Sequence, residues 1–506
     1  MPSDNELNQY RAEFRQRFGL VVDLEQVSGL IDWDQQTGMP EAAGEHRAYQ
    51  SAAMAGIIHE KFADDKRMGE LLALLAGESD RLPADEATAV RVAMKDYERY
   101  SRLPRKLVED LSRLESEGHG LWVEARRNDD FSLFEPALER MLELQREKAE
   151  HFGYGEHPYD ALHDTYESGS TAAEISSVFG PLREATVDLL DRIRGSGRTL
   201  SDSLLFRDYP EDRQEKFGRE AIAEFGFDFA RGRLDRAEHP FATSFGNRDV
   251  RITTRYDRNF LSPAIFGMFH EAGHGMYEQG ISDSYGRTPL GDSASLAVHE
   301  SQSRMWENLI GRSMSYWEYA WPRLQALFPA ALGDVTREQF HEAINVVKPS
   351  LIRVEADEVT YNLHIMIRFE LELALLDGSL KPRDLPEAWN GLYRDYLGIT
   401  PPNDAEGCLQ DVHWSAGLIG YFPTYTLGNI MSVQLLEAHR SQNPQLDSQV
   451  SSGDFSRLHS WMLENVHRHG RTMEPRELLQ NATGSPLDAA PYIRYLEQKY
   501  GQLYGF

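Results

Sequence analysis

Ser262-Pro263-Ala264-Ile265-Phe266-Gly267-Met268-Phe269-His270-Glu271-Ala272-Gly273-His274-Gly275-Met276-Tyr277-Glu278 is the stretch whose reading decides the fold. If it is helical, His270 and His274 lie one turn apart, and both imidazoles reach a single metal ion. Glu271 falls between them, placed to take a proton from water rather than to bind the metal. Local chemistry favours a helix. Ser262 reads as the N-cap, Pro263 as the first helical residue and Gly280 as the stop. Five residues of this pattern also occur by chance in unrelated helices, so the rest of the chain has to decide.

The chain has 506 residues, 41% of them hydrophobic and 26% charged, the composition of an ordinary globular protein. No apolar run is long enough to cross a membrane, and the first residues lack the basic start and apolar core of a signal peptide. Cys408 is the single cysteine, which excludes an internal disulfide and points to a reducing, cytoplasmic setting. The formal charge of −28 argues against nucleic-acid binding through a basic face. It also means that an anionic substrate group needs a local arginine, because the overall field repels it.

Helical periodicity runs through residues 5–58 and 86–150. It recurs at 171–194, 313–332, 337–347, 358–376, 428–439 and 455–466. No linker or internal repeat interrupts it. The expectation is one mainly α unit over 1–506, in two lobes around a groove. One segment departs from this pattern. Val250, Ile252, Thr254 and Tyr256 alternate with Arg251, Thr253 and Arg255, which is strand periodicity. Phe241–Phe245 pairs with it across Gly246-Asn247 in a predicted antiparallel hairpin. Its free edge is a candidate seat for an extended peptide, with a purely structural hairpin as the equal alternative.

A hydrolytic zinc site takes three protein ligands and keeps one position open. Glu300, in Ala297-Val298-His299-Glu300-Ser301-Gln302, is the best third candidate, although charge counting alone favours a solvated glutamate. Arg353, in Ile352-Arg353-Val354-Glu355-Ala356-Asp357, suits a peptide's terminal carboxylate, and a salt bridge to Glu355 or Asp357 is the competing reading. In Gly407-Cys408-Leu409-Gln410-Asp411-Val412-His413-Trp414 and the following segment, His413 and Tyr421 are candidate donors to an oxyanion. A packed aromatic segment is the alternative there. Cys408 has no base specified for it, and thiol chemistry would leave the histidine motif unexplained.

Taken in order, these motifs resemble the Taq-type (thermostable carboxypeptidase) zinc metallocarboxypeptidases. The match runs through Trp33-Asp34-Gln35, Met39-Pro40, His239-Pro240-Phe241 and the Asp249, Arg251 and Thr253 pattern. It continues through the histidine helix, His299–Gln302, Ile352–Asp357 and Gly407–Trp414, without departure at any of these positions. The resemblance implies a neurolysin-like helical fold with a deep groove and a small antiparallel sheet. It implies zinc, with cobalt as a substitute, held by His270, His274 and Glu300, and Glu271 as general base. It further implies a homodimer that removes single C-terminal residues with broad specificity, proline being disfavoured. Asp249, Arg251, Thr253 and Arg353 then fall to substrate binding, with Arg251 the rival of Arg353 for the carboxylate. An oligopeptidase with the same zinc chemistry is the nearer alternative, and a non-catalytic peptide-binding metalloprotein the farther one.

Overall fold

Ser3 opens the first helix, Asp4–Thr37, through a capping box in which its hydroxyl accepts from the Glu6 amide while Glu6 accepts from the Ser3 amide at 2.8 Å. The computed structural model describes residues 2–506, with Glu41 described through its backbone alone. The predicted helical run 5–58 is two helices, Asp4–Thr37 and Gly44–Lys61, interrupted around Pro40. The run 86–150 is three, Ala84–Ser101, Arg105–Asn128 and Glu135–Phe152. Pro104 precedes the second of these, and Asp129, at φ 55°, terminates it. Periodicity identified the helices, whereas the breaks came from residues with special backbone preferences.

Buried apolar residues from Trp122 to Tyr504 form one continuous core. The first hundred residues have a smaller core of their own, built on Leu7, Phe14, Phe18, Met68, Leu72, Leu75 and Val90. Ala89 and Val92 carry this N-terminal layer onto Leu290 of the main body. Arg287 clamps Asp23 with two hydrogen bonds of 2.8 and 2.7 Å.

The small sheet holds three strands, β1 Gly232–Arg236, β2 Ala242–Ser244 and β3 Val250–Thr254. The hairpin pairs as expected, Ala242 opposite Ile252 and Ser244 opposite Val250. The sheet is mixed rather than antiparallel throughout, because β1 runs parallel to β3 from Gly232 opposite Val250 to Arg236 opposite Thr254. Two chain reversals separate β1 from β3, so they point the same way and β3 lies in the middle. The strand carrying Arg251 and Thr253 therefore has no free edge, and the edges belong to β1 and β2. With Leu234 its only large apolar residue, β1 gives no strand pattern in sequence.

The histidine motif lies on the helix Ser262–Gly280. Leu261 stands at its N-cap, Ser262 and Pro263 are already inside the first turn, and Ser262 makes no capping hydrogen bond. Phe266, Met268, Phe269 and Met276 are buried along it. Each of these side chains contributes about 1.5–3 kcal/mol by leaving water. Two glycines then bring the other elements close. A Cβ on Gly273 would stand 2.5 Å from the Gln302 carbonyl oxygen and 2.6 Å from the Ser303 Cα. A Cβ on Gly428 would stand 2.6 Å from the Glu300 Cβ. The helices Leu296–Arg304 and Pro423–Gln442 pack onto the site because these positions have no side chain.

Candidate active site

Both motif histidines are locked by their Nδ1 atoms. His270 Nδ1 lies 2.9 Å from Glu307 Oε2, and His274 Nδ1 lies 3.1 Å from the His299 carbonyl oxygen. A carbonyl only accepts, so the proton of His274 is on Nδ1, and the Glu307 carboxylate fixes the same tautomer in His270. Each ring then presents the bare lone pair of Nε2, and the two Nε2 atoms face one another at 3.2 Å. That approach is unfavourable without a cation between them. Glu300 Oε2 completes a triangle, 3.4 Å from His274 Nε2 and 3.7 Å from His270 Nε2. Ligands at zinc distances of ~2.0–2.1 Å, spread tetrahedrally, stand roughly 3.3 Å apart. His270, His274 and Glu300 fit one face of such a tetrahedron, and they can hold a metal ion together.

The surrounding charges favour a cation at this point. Burial raises the pKa of Glu300, but the Arg304 guanidinium beside it outweighs this and holds the carboxylate ionised, well below its ordinary range. Arg304 Nε donates to Glu300 Oε1 at 2.5 Å and Nη1 to Glu307 Oε2 at 3.2 Å. Burial likewise opposes ionisation of Glu307, while Arg304 and His270 bring its pKa down to about 2. His274, desolvated and beside His299, is pushed down to about 3 and stays neutral, as a ligand must. His299 stacks on His274 with ring centroids 4.3 Å apart, and its Nε2 lies 2.9 Å from Glu278 Oε1. Glu271 is 6% exposed, and burial pushes its carboxyl up to about 7. A carboxyl poised there can both take and return a proton at neutral pH.

Arg353 is buried in a polar network. Its Nε donates to Asp411 Oδ1 at 2.9 Å and its Nη1 to the Tyr361 hydroxyl at 3.1 Å. Arg368 takes the other oxygen of Asp411 at 2.7 Å. The predicted partners Glu355 and Asp357 are not the ones used. Asp357 instead accepts from the amides of Lys348, Val359 and Thr360. Arg251 forms a two-pronged pair with Asp249, both contacts 2.8 Å, and lies against the ring of Trp33. Thr253 is fully buried, and its hydroxyl lies 2.8 Å from the Phe241 amide. His413 is desolvated beside Arg353 and pushed down to about 3, so it is neutral. Its Nε2 lies 3.3 Å from the Tyr425 hydroxyl. Tyr421 packs against His413 and Tyr425 at centroid distances of 5.6 and 5.4 Å, and burial pushes its phenol up to about 12. Cys408 is buried and its thiol is pushed above its ordinary range by burial, which leaves it inert.

Residues 13–500 match the family described as Carboxypeptidase Taq (M32) metallopeptidase. The chain belongs to this family. It is 46% identical to thermostable carboxypeptidase 1 of Thermus thermophilus over 495 residues, covering 95% of this chain and 96% of that one. It is 40% identical to carboxypeptidase 1 of Bacillus subtilis, covering 99% of both chains. The crystal structure of the M32 carboxypeptidase from Deinococcus radiodurans superposes with a TM-score of 0.96 at 41% identity, covering 98% of this chain and 100% of that one. The protein is a metallocarboxypeptidase, and its substrates are peptides.

Several residues of this metallocarboxypeptidase site have no role in the sequence reading. Glu307 and Arg304 orient the metal-facing groups, yet on the chain they are an ordinary helical acid and base. The segment that holds Glu307, Met305–Ile310, is a π-helical turn. Glu307 falls seven residues after Glu300, and that spacing on one helix face was the available signal. Asp411 lies inside a motif that the sequence did single out. Its two arginine partners come from 43 and 58 residues away, beyond any local pattern.

Proposed function

We propose that the enzyme is a zinc carboxypeptidase that removes single residues from the free C-terminus of peptides, with broad specificity and proline disfavoured. His270, His274 and Glu300 would hold the metal, with cobalt as a substitute. The observation that carries this reading is the triangle of bare donors 3.2, 3.4 and 3.7 Å apart. Zinc, when bound, would supply Lewis acidity, polarising the scissile carbonyl and acidifying water. Glu271 takes the proton of the attacking water and passes it to the departing amine. The Tyr421 phenol, kept protonated by burial, donates to the developing oxyanion, and neutral His413 supports it through the adjoining Tyr425. Arg353 receives the substrate carboxylate, since Asp411 is shared with Arg368 and leaves two of the five Arg353 N–H bonds without a protein acceptor. Arg251, paired with Asp249 and set against the rings of Trp33 and Phe245, is the rival anchor. Asp249 and Thr253 then hold the strand beside the substrate. The buried, lone cysteine and the absence of a membrane-crossing helix among the described residues support a cytoplasmic setting. Exposed Leu20, Val27, Leu30, Tyr49 and Ile57 on the first two helices support association into a homodimer.

Two measurements test this. Glu271→Gln should retain zinc while turnover falls by several orders of magnitude, and substantial residual turnover would sink the assignment. Peptides with a free carboxyl terminus should be trimmed one residue at a time, whereas their C-terminal amides should resist. Equal rates on both would point to an endopeptidase.

A further inference from the structure

Tyr361 sits at the join between the metal-facing carboxylate and the anchoring arginine. Its ring lies under Arg304, with the guanidinium carbon 4.5 Å from the ring centroid. Arg304 in turn holds Glu300 at 2.5 Å. On the other side, the Tyr361 hydroxyl accepts from Arg353 Nη1 at 3.1 Å. Tyr361 is 6% exposed and meets Tyr425 edge-on at 6.2 Å. Its hydroxyl is therefore placed beside the uncommitted N–H bonds of Arg353, on the side of the tyrosine cluster.

The hydrogen-bond inventory of this hydroxyl is incomplete. A phenol donates one hydrogen bond as well as accepting. Among the described residues it accepts from Arg353 and donates to no protein group. A buried phenolic proton without an acceptor is a standing cost, and in a substrate site it marks where a ligand acceptor belongs. The neighbouring charge identifies the acceptor as an anion, because the hydroxyl is bonded directly to the Arg353 guanidinium, which keeps N–H bonds of its own uncommitted. A carboxylate has two oxygens and matches this pair of donors.

We infer that Tyr361 is a substrate-contact residue, which donates its phenolic proton to the C-terminal carboxylate of the peptide while Arg353 binds the same group. This rests on the proposed role of Arg353. It adds a specific consequence. Through its stack with Arg304, Tyr361 sets the carboxylate grip at a fixed offset from Glu300, so that the last peptide bond is the one presented to the metal side.

Tyr361→Phe removes the hydroxyl and keeps the ring under Arg304. For a free C-terminal dipeptide or tripeptide its KM should rise about 10–100-fold, the usual consequence of losing a hydrogen bond to a charged group. kcat should change by less than threefold, and zinc content and melting temperature should match the parent. Arg353→Met, assayed beside it, separates the two ideas. If Arg353→Met raises KM and Tyr361→Phe does not, the tyrosine contact is wrong while the anchor stands. If neither moves KM, the anchor itself is misassigned. A Tyr361→Phe enzyme with lowered kcat and unchanged KM would also overturn the inference, since it would place the hydroxyl in the chemical step.

Discussion

Gly273→Ala offers the most direct test of how the site is built. Glycine at this position lets the motif helix and the helix Leu296–Arg304 touch backbone to backbone. An added Cβ would stand 2.5 Å from the Gln302 carbonyl oxygen and 2.6 Å from the Ser303 Cα. Carbon contacts settle near 3.5 Å, so roughly 0.9 Å has to come from moving one helix against the other. Neither partner atom can rotate away, because both belong to the main chain. The metal triangle spans this joint, with both histidines on one helix and Glu300 on the other. Coordination distances tolerate only about 0.2 Å, so the displacement separates the ligands well beyond that margin. The expected result is a loss of zinc affinity on the order of 100-fold, the upper end for changes around a metal site. It should be accompanied by a stability loss of about 1–3 kcal/mol from overpacking. Competition against a chromophoric chelator reads the first, and denaturant unfolding of the metal-free protein reads the second. Gly120→Ala is the control, because nothing lies within 4 Å of its Cβ position. It should be neutral or stabilising by up to about 1 kcal/mol. Zinc binding and unfolding of Gly273→Ala that match the parent would refute the argument that this glycine sets the ligand spacing.

Glu307→Gln weakens the grip on the His270 Nδ1 proton and should lower zinc affinity about 10–100-fold, measured by the same competition, with the fold intact by circular dichroism. The Cβ added by Gly428→Ala would meet the Glu300 Cβ at 2.6 Å and the Ala297 carbonyl oxygen at 3.1 Å, a looser main-chain contact than at Gly273, so zinc affinity should fall less than for Gly273→Ala. A larger fall would show that the helix Pro423–Gln442 is the stiffer support. Asp411→Asn strands two buried guanidinium groups and should cost about 3–5 kcal/mol in denaturant unfolding. A loss under about 1 kcal/mol, the range of an exposed pair, would mean that water already screens the cluster. Removing the metal with a chelator should lower the melting temperature, and zinc should restore it, because a ligand that binds only the native state stabilises it by mass action. An unchanged melting temperature would show that the triangle binds no metal tightly.

Local pattern was enough for the parts of this protein whose chemistry is local. The helical class follows from apolar spacing over most of the chain, and the β2–β3 hairpin from alternation around Gly246-Asn247. The histidine pair follows from a four-residue interval, since one helical turn brings any such pair together wherever the helix lies. The distant motifs carried the family resemblance and, through it, the expectation for Glu300. Contacts across the fold decided the rest. The parallel pairing of β1, whose residues show no strand pattern, comes from the path of the chain around the hairpin. The partner of Arg353 is Asp411 rather than its near neighbours Glu355 and Asp357, because a buried guanidinium pairs with the carboxylate that shares its dry environment, whatever their separation in sequence. Glu307, Arg304 and Tyr361 take their places for the same reason. Sequence order determined which chemical groups this enzyme has and how each helix presents them. Close packing through Gly273 and Gly428, with the Arg304 and Glu307 contacts beside it, brought those groups within ångströms of one another, and an interval along the chain does not encode a distance between helices.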